Sequence, residues 1–491
     1  PVELDLSRFR GKVPVEMLGR TVFPPIGDLP YLLTLPGHNF YWFCLTTNTE
    51  APAWHVEALS PLELPVLVLF DGWRSFFPEQ SEASRKTMAE QLRSQLEREI
   101  LPGYLPTQRW FAAKAEPLER VEIMTLTTWP ENKHTWLWLW IKVHFVTGKT
   151  QIYFLQLAIG WGEPDEMPIR ALLPVALAKI RQRASVGIIF DALCDASFSL
   201  AVIDAMAASL EFAVDSGVIK FCPTSAYSRL VDKSMLTDLR RPIVEGTNSA
   251  AILGDRLFFK FYRQIRDGVN LEMEMGRFLT EISPYRNISP VVGSIEYHEN
   301  DGTSVTLALI QGYVSNQGDG WTYTVDYLTR FFEDYLTKAT ITAESEDKHS
   351  DYQWMMHILG LRTGELHKAL AVHCDDPAFE PEPILSEDFH AWREQVCQDV
   401  YVTMEQLDAR RETISENNKK TADEFLLMKK MLLDRVAALS TGKPDTIVKT
   451  RYHGDYHLGQ VLLTGNDFTI IDFEGEPARS LDERRIKHSP L

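Results

Sequence analysis

The apolar and polar positions along the chain fall into stretches of two different periods. "TWLWLWIKVHFVTGKTQIYFLQLAI" alternates with period two, which predicts two strands joined by a hairpin at 147–148. Trp136, Trp138 and Trp140 then share one face of the first strand. Core packing is the expected use of that stripe, and a sugar platform is the alternative. Residues 81–101, "SEASRKTMAEQLRSQLEREIL", open on Ser and Glu and carry apolar residues at helical spacing, so a helix is expected. Residues 1–46 read as β-structure, with "YLLTLPGHNFYWFCL" as strand, Pro-Gly turn and aromatic strand. Residues 47–62 are rich in Pro, Thr and Ala and read as a linker. Farther on, 241–263 reads strand, glycine turn, strand; 270–282 reads helix; 304–314 reads strand leaving into a loop. From 322 to 439 the pattern is mostly helical, and its charged stretch 403–439 predicts a solvated helical pair. Short strands return over 446–473.

Composition narrows the partners more than the chemistry. With 491 residues, 45% hydrophobic and 24% charged, the chain is an ordinary globular protein of two to four domains. A formal net charge of −18 argues against nucleic acid or an anionic membrane as partner. It leaves a phosphorylated ligand open, since a few local cations suffice for that. Five scattered cysteines without a CxxC predict reduced thiols in a cytoplasmic protein. No uninterrupted apolar run of about 18 residues is present. The sequence starts at Pro1 without Met and stops at "KHSPL", which reads as a piece of a longer polypeptide.

The densest chemistry lies in "HGDYHLGQVLLTGNDFTIIDFEGEP". "QVLL" and "FTIIDF" read as strands joined by the turn "TGND". That hairpin returns Asp472 to the start of its first strand, so Asp455, Gln460 and Asp472 can converge. Phosphoryl transfer needs such a set. Asp455 would orient an acceptor hydroxyl and take its proton, while Gln460 and Asp472 would hold Mg²⁺ through oxygen. The spacing is that of the kinase catalytic loop, H-x-D-x4-N followed by D-F-G, with Gln in place of Asn and "DFEGEP" in place of D-F-G. In a rival reading, His453, Asp455 and His457 at i, i+2, i+4 ligate zinc, which leaves Gln460 and Asp472 without a task.

A kinase site also requires a glycine loop, a strand lysine and a helix glutamate upstream. "VEGTNSAAILGDRLFFKFYR" supplies Gly246, Thr247, Asn248 and Ser249 between two strands and Lys260 on the second. A lone lysine inside "LFFKFY" needs an anion. Glu274 is the expected partner and Glu272 the alternative. The strand "LALIQGYV" follows, and Gln311, Tyr313 and Val314 at its edge would meet adenine through their backbone. "TGKT" at 147–150 imitates a Walker loop, but Val143 stands where its first glycine should be, and the stretch joins two strands.

These residues resemble a family. "HGDYHLGQVLL", "DFEGEP", "LRTGELHKAL" and "LPTQRWFAAK" look like bacterial maltokinase, a relative of aminoglycoside phosphotransferases and eukaryotic-like kinases. The likeness spans roughly 90–491. The first 46 residues resemble instead the C-terminal β-domain of trehalose synthase, which is fused to maltokinase in some bacteria. The resemblance implies an α+β, bilobal, protein-kinase-like fold. Its divisions would be a trehalose synthase segment over 1–46, a linker and leading helix over 47–89, a cap lobe over 90–205, a nucleotide lobe over 206–314 and a helical lobe over 315–491. It implies ATP and Mg²⁺ as cofactors, maltose as acceptor and a trehalose synthase domain as partner. His457 and Glu474 would face the sugar, His453 would orient the loop, and Trp110 and Phe111 would belong to the cap. Two alternatives stay open: a kinase of another small sugar, amine or alcohol, and a non-catalytic scaffold for the synthase.

Overall fold

The structure, a computed structural model, describes residues 2–490 apart from 17–22, 28–29, 34–40, 47–63, 78–82, 112, 115, 132–133, 164–165, 168, 216, 242–247, 267, 338–348, 439–447 and 477–478. Two units are present, residues 1–68 with 160–188, and residues 69–159 with 189–491.

In the first unit the β-character expected of 1–46 is found, with a different pairing. Tyr31–Leu33 pairs with Val2–Leu4, and Phe43–Thr46 pairs with Val13–Glu16. The two strands of the predicted Pro-Gly hairpin therefore each return to an earlier strand, so that Leu33 and Val13 become buried. A further strand stands just past the expected linker. Val66–Val68 is a strand, parallel to Ala176–Gln182. It alternates strictly, with Leu67 fully buried between the exposed Val66 and Val68, as a strand covered on one face must. The strand falls past the linker read over 47–62, within the 47–89 stretch given to linker and leading helix.

The second unit opens with the helix expected near 81–101. It runs as Ala83–Gln95, widens to a π turn over Leu96–Ile100 and ends in Leu101–Tyr104. Leu92, Leu96 and Ile100, four residues apart, are buried. Leu118–Glu131, His134–Phe145 and Thr150–Trp161 follow as an antiparallel meander. Trp136, Trp138 and Trp140 are buried, and so are the alternating Leu137, Leu139 and Ile141. The strand is thus covered on both faces. Trp136 and Trp138 lie 5.2 and 5.4 Å from the Trp129 ring, so the stripe packs in the core and forms no sugar platform. The "TGKT" turn joins two strands, and its Lys149 meets Glu116 at 3.0 Å.

A seven-stranded antiparallel sheet carries the nucleotide-type motifs. Its order is Glu211–Val214, Gly217–Pro223, Val291–Glu299, Ser304–Gly312, Leu257–Phe261, Ser249–Leu253, Leu239–Arg240. The strand expected over 304–314 stops at Gly312. Leu271–Arg277, capped by Asn270 through the Met273 amide at 2.9 Å, packs on this sheet and continues as a π turn over Phe278–Ile282. The packing is close at Gly276, where a Cβ would stand 2.6 Å from Val291.

Gly320–Thr337, Ser350–Leu370 and Ser386–Ala409 are long helices of which few residues are buried. The stretch expected as one helical pair over 403–439 is the end of Ser386–Ala409 followed by Glu416–Leu427 and Lys429–Ala437. Beside them, Val461–Thr464 and Asp467–Ile470 form the predicted hairpin. Its Val461, Phe468 and Ile470 are buried together with Met275, Phe278 and Leu370, which seats the hairpin under the helix that bears the glutamates.

Candidate active site

The lysine strand is paired on both sides, with Ser249–Leu253 and with Ser304–Gly312. That places Lys260 in a side chain environment only 15% exposed. Its Nζ donates to Glu272 Oε2 and to Glu474 Oε1, both at 2.5 Å. Tyr262 donates its hydroxyl to Glu272 Oε2 at 2.9 Å. Burial works against the charge on Lys260, but Glu272, Tyr262, Glu474 and Asp472 outweigh it and hold the ammonium well above the ordinary lysine range. Burial pushes Glu272 up against the pull of Lys260, and Glu474 and Asp472 add to the rise. Glu474 is also opposed by burial, yet Lys260 brings it below the usual carboxylate range. The lysine therefore stays charged between two carboxylates.

This corrects the expected partner. Glu274 does not reach Lys260; it accepts from Arg451 at 2.9 Å and Arg485 at 2.6 Å. Two residues apart on a helix, the glutamates point in nearly opposite directions. Glu272 lies one turn before Gly276 and so shares the face pressed against the sheet. The small residue at 276 was the available signal for choosing Glu272.

Gly246 and Thr247 fall outside the described residues. Asn248 donates to Glu474 Oε1 at 3.4 Å, and Ser249 is fully buried. Glu474, expected on the acceptor side, thus stands between Lys260 and Asn248. Of the adenine-edge residues, Gln311 lies inside the sheet opposite Phe258. Tyr313 gives its amide to the Arg256 carbonyl at 2.7 Å, and the Val314 carbonyl accepts from the Asn316 side chain at 2.9 Å.

The catalytic-type loop is held by its histidine. His453 is buried, and burial holds its pKa below the ordinary value. One ring nitrogen meets the Ile471 carbonyl at 2.8 Å and the other accepts the Asp455 amide at 3.4 Å. A neutral imidazole with Nε2 protonated fits both bonds. His453 is thereby committed to shaping the loop. His457 is half exposed at its side chain, accepts the Gly459 amide at 3.1 Å, and stands 3.9 Å from Asp455. The glycines of "HGD" and "FEGEP" meet: a Cβ on Gly454 would lie 3.0 Å from the Gly475 Cα, and both residues have positive φ. That contact brings the Asp455 loop to the segment following Asp472.

Asp472 itself has φ +63, a left-handed conformation that costs a non-glycine residue free energy. Gln460 Nε2 donates to Asp472 Oδ2 at 3.1 Å. As placed, the amide nitrogen faces the carboxylate, and metal ligation by the Gln460 oxygen requires the amide turned over. Asp472 Oδ1 is buried and has no hydrogen-bond partner among the described residues. Glu272, Asp472 and Glu474 each bring a carboxylate oxygen within 4.8 Å of the others. Three crowded carboxylates around one lysine, one oxygen of them orphaned, fit a hard divalent cation such as Mg²⁺. His453, Asp455 and His457 form no such group among the described residues.

Comparison with known proteins agrees with this division. Residues 1–42 match the family described as Maltogenic Amylase, C-terminal domain, and residues 104–195 match the Maltokinase N-terminal cap domain. The chain is 65% identical over 46 residues to the trehalose synthase of Pimelobacter sp. (strain R48), covering 9% of this chain and 8% of that protein. It is 25% identical over 251 residues to the glucosamine kinase of Mycolicibacterium smegmatis (strain ATCC 700084 / mc(2)155), covering 51% of this chain and 55% of the kinase. A solved glucosamine kinase in complex with glucosamine, ADP and inorganic phosphate superposes with a TM-score of 0.47 at 17% identity, over 78% of this chain and 73% of that one. The chain thus spans under a tenth of the synthase and about half of the kinase it matches. No disulfide joins the five cysteines, and no helix among the described residues is long and apolar enough to cross a membrane. The chain therefore joins a segment similar to the end of trehalose synthase to a longer α+β region that carries the maltokinase N-terminal cap match and a sequence likeness to glucosamine kinase, as in a trehalose synthase/maltokinase fusion.

Proposed function

We propose that the chain transfers the γ-phosphoryl group of ATP to the anomeric hydroxyl of maltose, giving maltose 1-phosphate and ADP. The observation that carries this reading is the maltokinase cap match at 104–195 beside the Lys260–Glu272 pair and the Asp455–Asp472 loops. Lys260, kept charged, would hold the nucleotide phosphates, with Asn248 near them. Asp455 would accept the hydroxyl proton as the sugar oxygen bonds to phosphorus and the bond to the β-phosphate oxygen breaks. Asp472, Glu474 and Gln460 would hold Mg²⁺, which when bound neutralises charge on the phosphates. His457 would stand on the acceptor side. A trehalose synthase domain is the proposed partner, and maltose 1-phosphate would feed α-glucan synthesis.

The glucosamine kinase relative favours a second reading, in which an amino sugar is the acceptor. One experiment separates the two: ADP release measured with Mg²⁺ and maltose, glucose, trehalose, glucosamine or kanamycin. Maltose should give the highest kcat/KM. Preference for glucosamine would transfer the assignment to the second reading, and no release with any acceptor would remove the kinase reading.

A further inference from the structure

One buried charge takes no part in the site described above. Arg263 stands three residues past Lys260 and is fully buried. A guanidinium stays charged in a protein, so its burial demands partners. Its Nε donates to Ser249 Oγ at 2.7 Å, one terminal nitrogen to Gln156 Oε1 at 2.7 Å, and the other to Asp191. The Trp110 ring lies 5.5 Å from the guanidinium carbon. Its own carbonyl accepts from the Phe154 amide at 2.8 Å, and Gln264–Ile265 then pairs with Tyr153 and Ile152 of the meander.

The partners divide by origin. Trp110, Gln156 and Asp191 all lie within 104–195, the stretch that matches the cap. Ser249 opens the strand Ser249–Leu253, and it pairs with Phe261 at the open end of the lysine hairpin. One guanidinium thus holds both ends of that hairpin, one through its backbone and one through its side chain, and ties both to the cap. Neutralising the charge would need only Asp191. The Ser249 bond adds nothing to charge balance; it fixes where the strand begins.

Resting on the kinase reading above, we propose that Arg263 is a positioning residue for the nucleotide. It anchors Ser249 and the lysine strand to the meander of the cap stretch, so that cap residues Asp191 and Gln156 set the nucleotide affinity without touching the nucleotide.

The test separates positioning from stability. Arg263→Met alone would strand Asp191 as an unpaired buried carboxylate, so it is paired with Asp191→Leu, since apolar replacement of a whole buried ion pair is often tolerated. Ser249→Ala, in the same 491-residue chain, keeps the ion pair and removes only the tether. In the paired variant, amide exchange over 249–253 should quicken about tenfold or more. The KM for ATP should rise about tenfold with kcat changed less than about threefold. Ser249→Ala should move both readouts the same way, by about threefold, as loss of one hydrogen bond would. A folded paired variant with parental exchange and parental KM overturns the proposal. If the paired variant does not fold, parental values in Ser249→Ala overturn it. A parent chain without ATP turnover would sink the kinase reading instead, and the exchange measurement would still decide the role of Arg263.

Discussion

Lys260 shares its charge between Glu272 and Glu474, whereas Glu274 serves Arg451 and Arg485. The two helix glutamates therefore fail differently when neutralised. Glu272→Gln should raise the KM for ATP about tenfold, a loss of about 1.4 kcal/mol, with a small effect on melting. Glu274→Gln leaves two guanidiniums facing a neutral group, one of them buried, and should cost about 3 kcal/mol of stability with the KM for ATP unmoved. Steady-state kinetics and thermal melts of both variants check the pair, and a reversed pattern would restore Glu274 to the site. Asp455→Asn should lower kcat about 10²-fold with nucleotide affinity unchanged, the usual scale of general-base catalysis. Near-parental turnover would remove Asp455 from that role. His453 adds a pH dependence. Burial depresses its folded pKa below the ordinary value of about 6.5. The unfolded chain then binds the extra proton first, so its contribution to stability is complete above about pH 6.5 and is lost as the pH falls through the lower folded value. His367 and His488 are shifted in the same direction, also by burial. Tm should therefore decline from pH 7 toward pH 5, and His453→Gln should flatten part of the decline. A parental Tm flat over that range would contradict the assignment.

The decisive contact between elements is the approach of two loops at their glycines. Gly454 precedes Asp455, and Gly475 lies three residues past Asp472. With φ +85 and no space for a Cβ, position 454 accepts alanine only by strain or by opening the loops. Gly454→Ala should cost about 1–3 kcal/mol and should lower kcat, because it displaces the loop that carries Asp455. A variant with parental kcat would show that the two loops need not touch. The hairpin Val461–Thr464 and Asp467–Ile470 positions this contact from below. Its apolar residues share a core with Met275 and Phe278, so the helix of Glu272 and the strand leading to Asp472 rest on the same side chains.

For the whole chain, the two units set where it can be cut. Leu64 and Leu67 are buried, and Val66–Val68 pairs with residues 179–181. A chain begun at Leu64 should therefore melt cooperatively and gain Tm with ATP and Mg²⁺, by mass action of ligand on the native state. One begun at residue 80 loses that strand and should melt several degrees lower. Thermal shift of the two truncations decides the boundary, and equal melting would mean that Val66–Val68 contributes nothing to the fold.

Much of the site was legible because its signals are local. The spacing from Asp455 to Gln460 to Asp472 and the turn "TGND" define a hairpin, and a hairpin brings its ends together whatever surrounds it. Lys260 in an apolar strand announced a buried cation that must be paired. Resemblance added the cap and the synthase segment, both matched independently. Pairing across long separations was not legible. Which glutamate meets Lys260 depends on the helix face pressed to the sheet, and Glu474 reaches that lysine across 214 residues. Glu272 and Glu274 are equal as letters, and only the packing of Gly276 on Val291 distinguishes them. The strands of 1–46 carried β-character in their sequence, but their partners came from earlier strands. Arg263 gave no signal at all, since an arginine after a strand is ordinary until Ser249, Gln156 and Asp191 close around it. Local chemistry was determined by the sequence, because turns and periods act over a few residues. Which charges neutralise one another was decided by tertiary structure, because burial makes each ion depend on neighbours that the chain brings from far away.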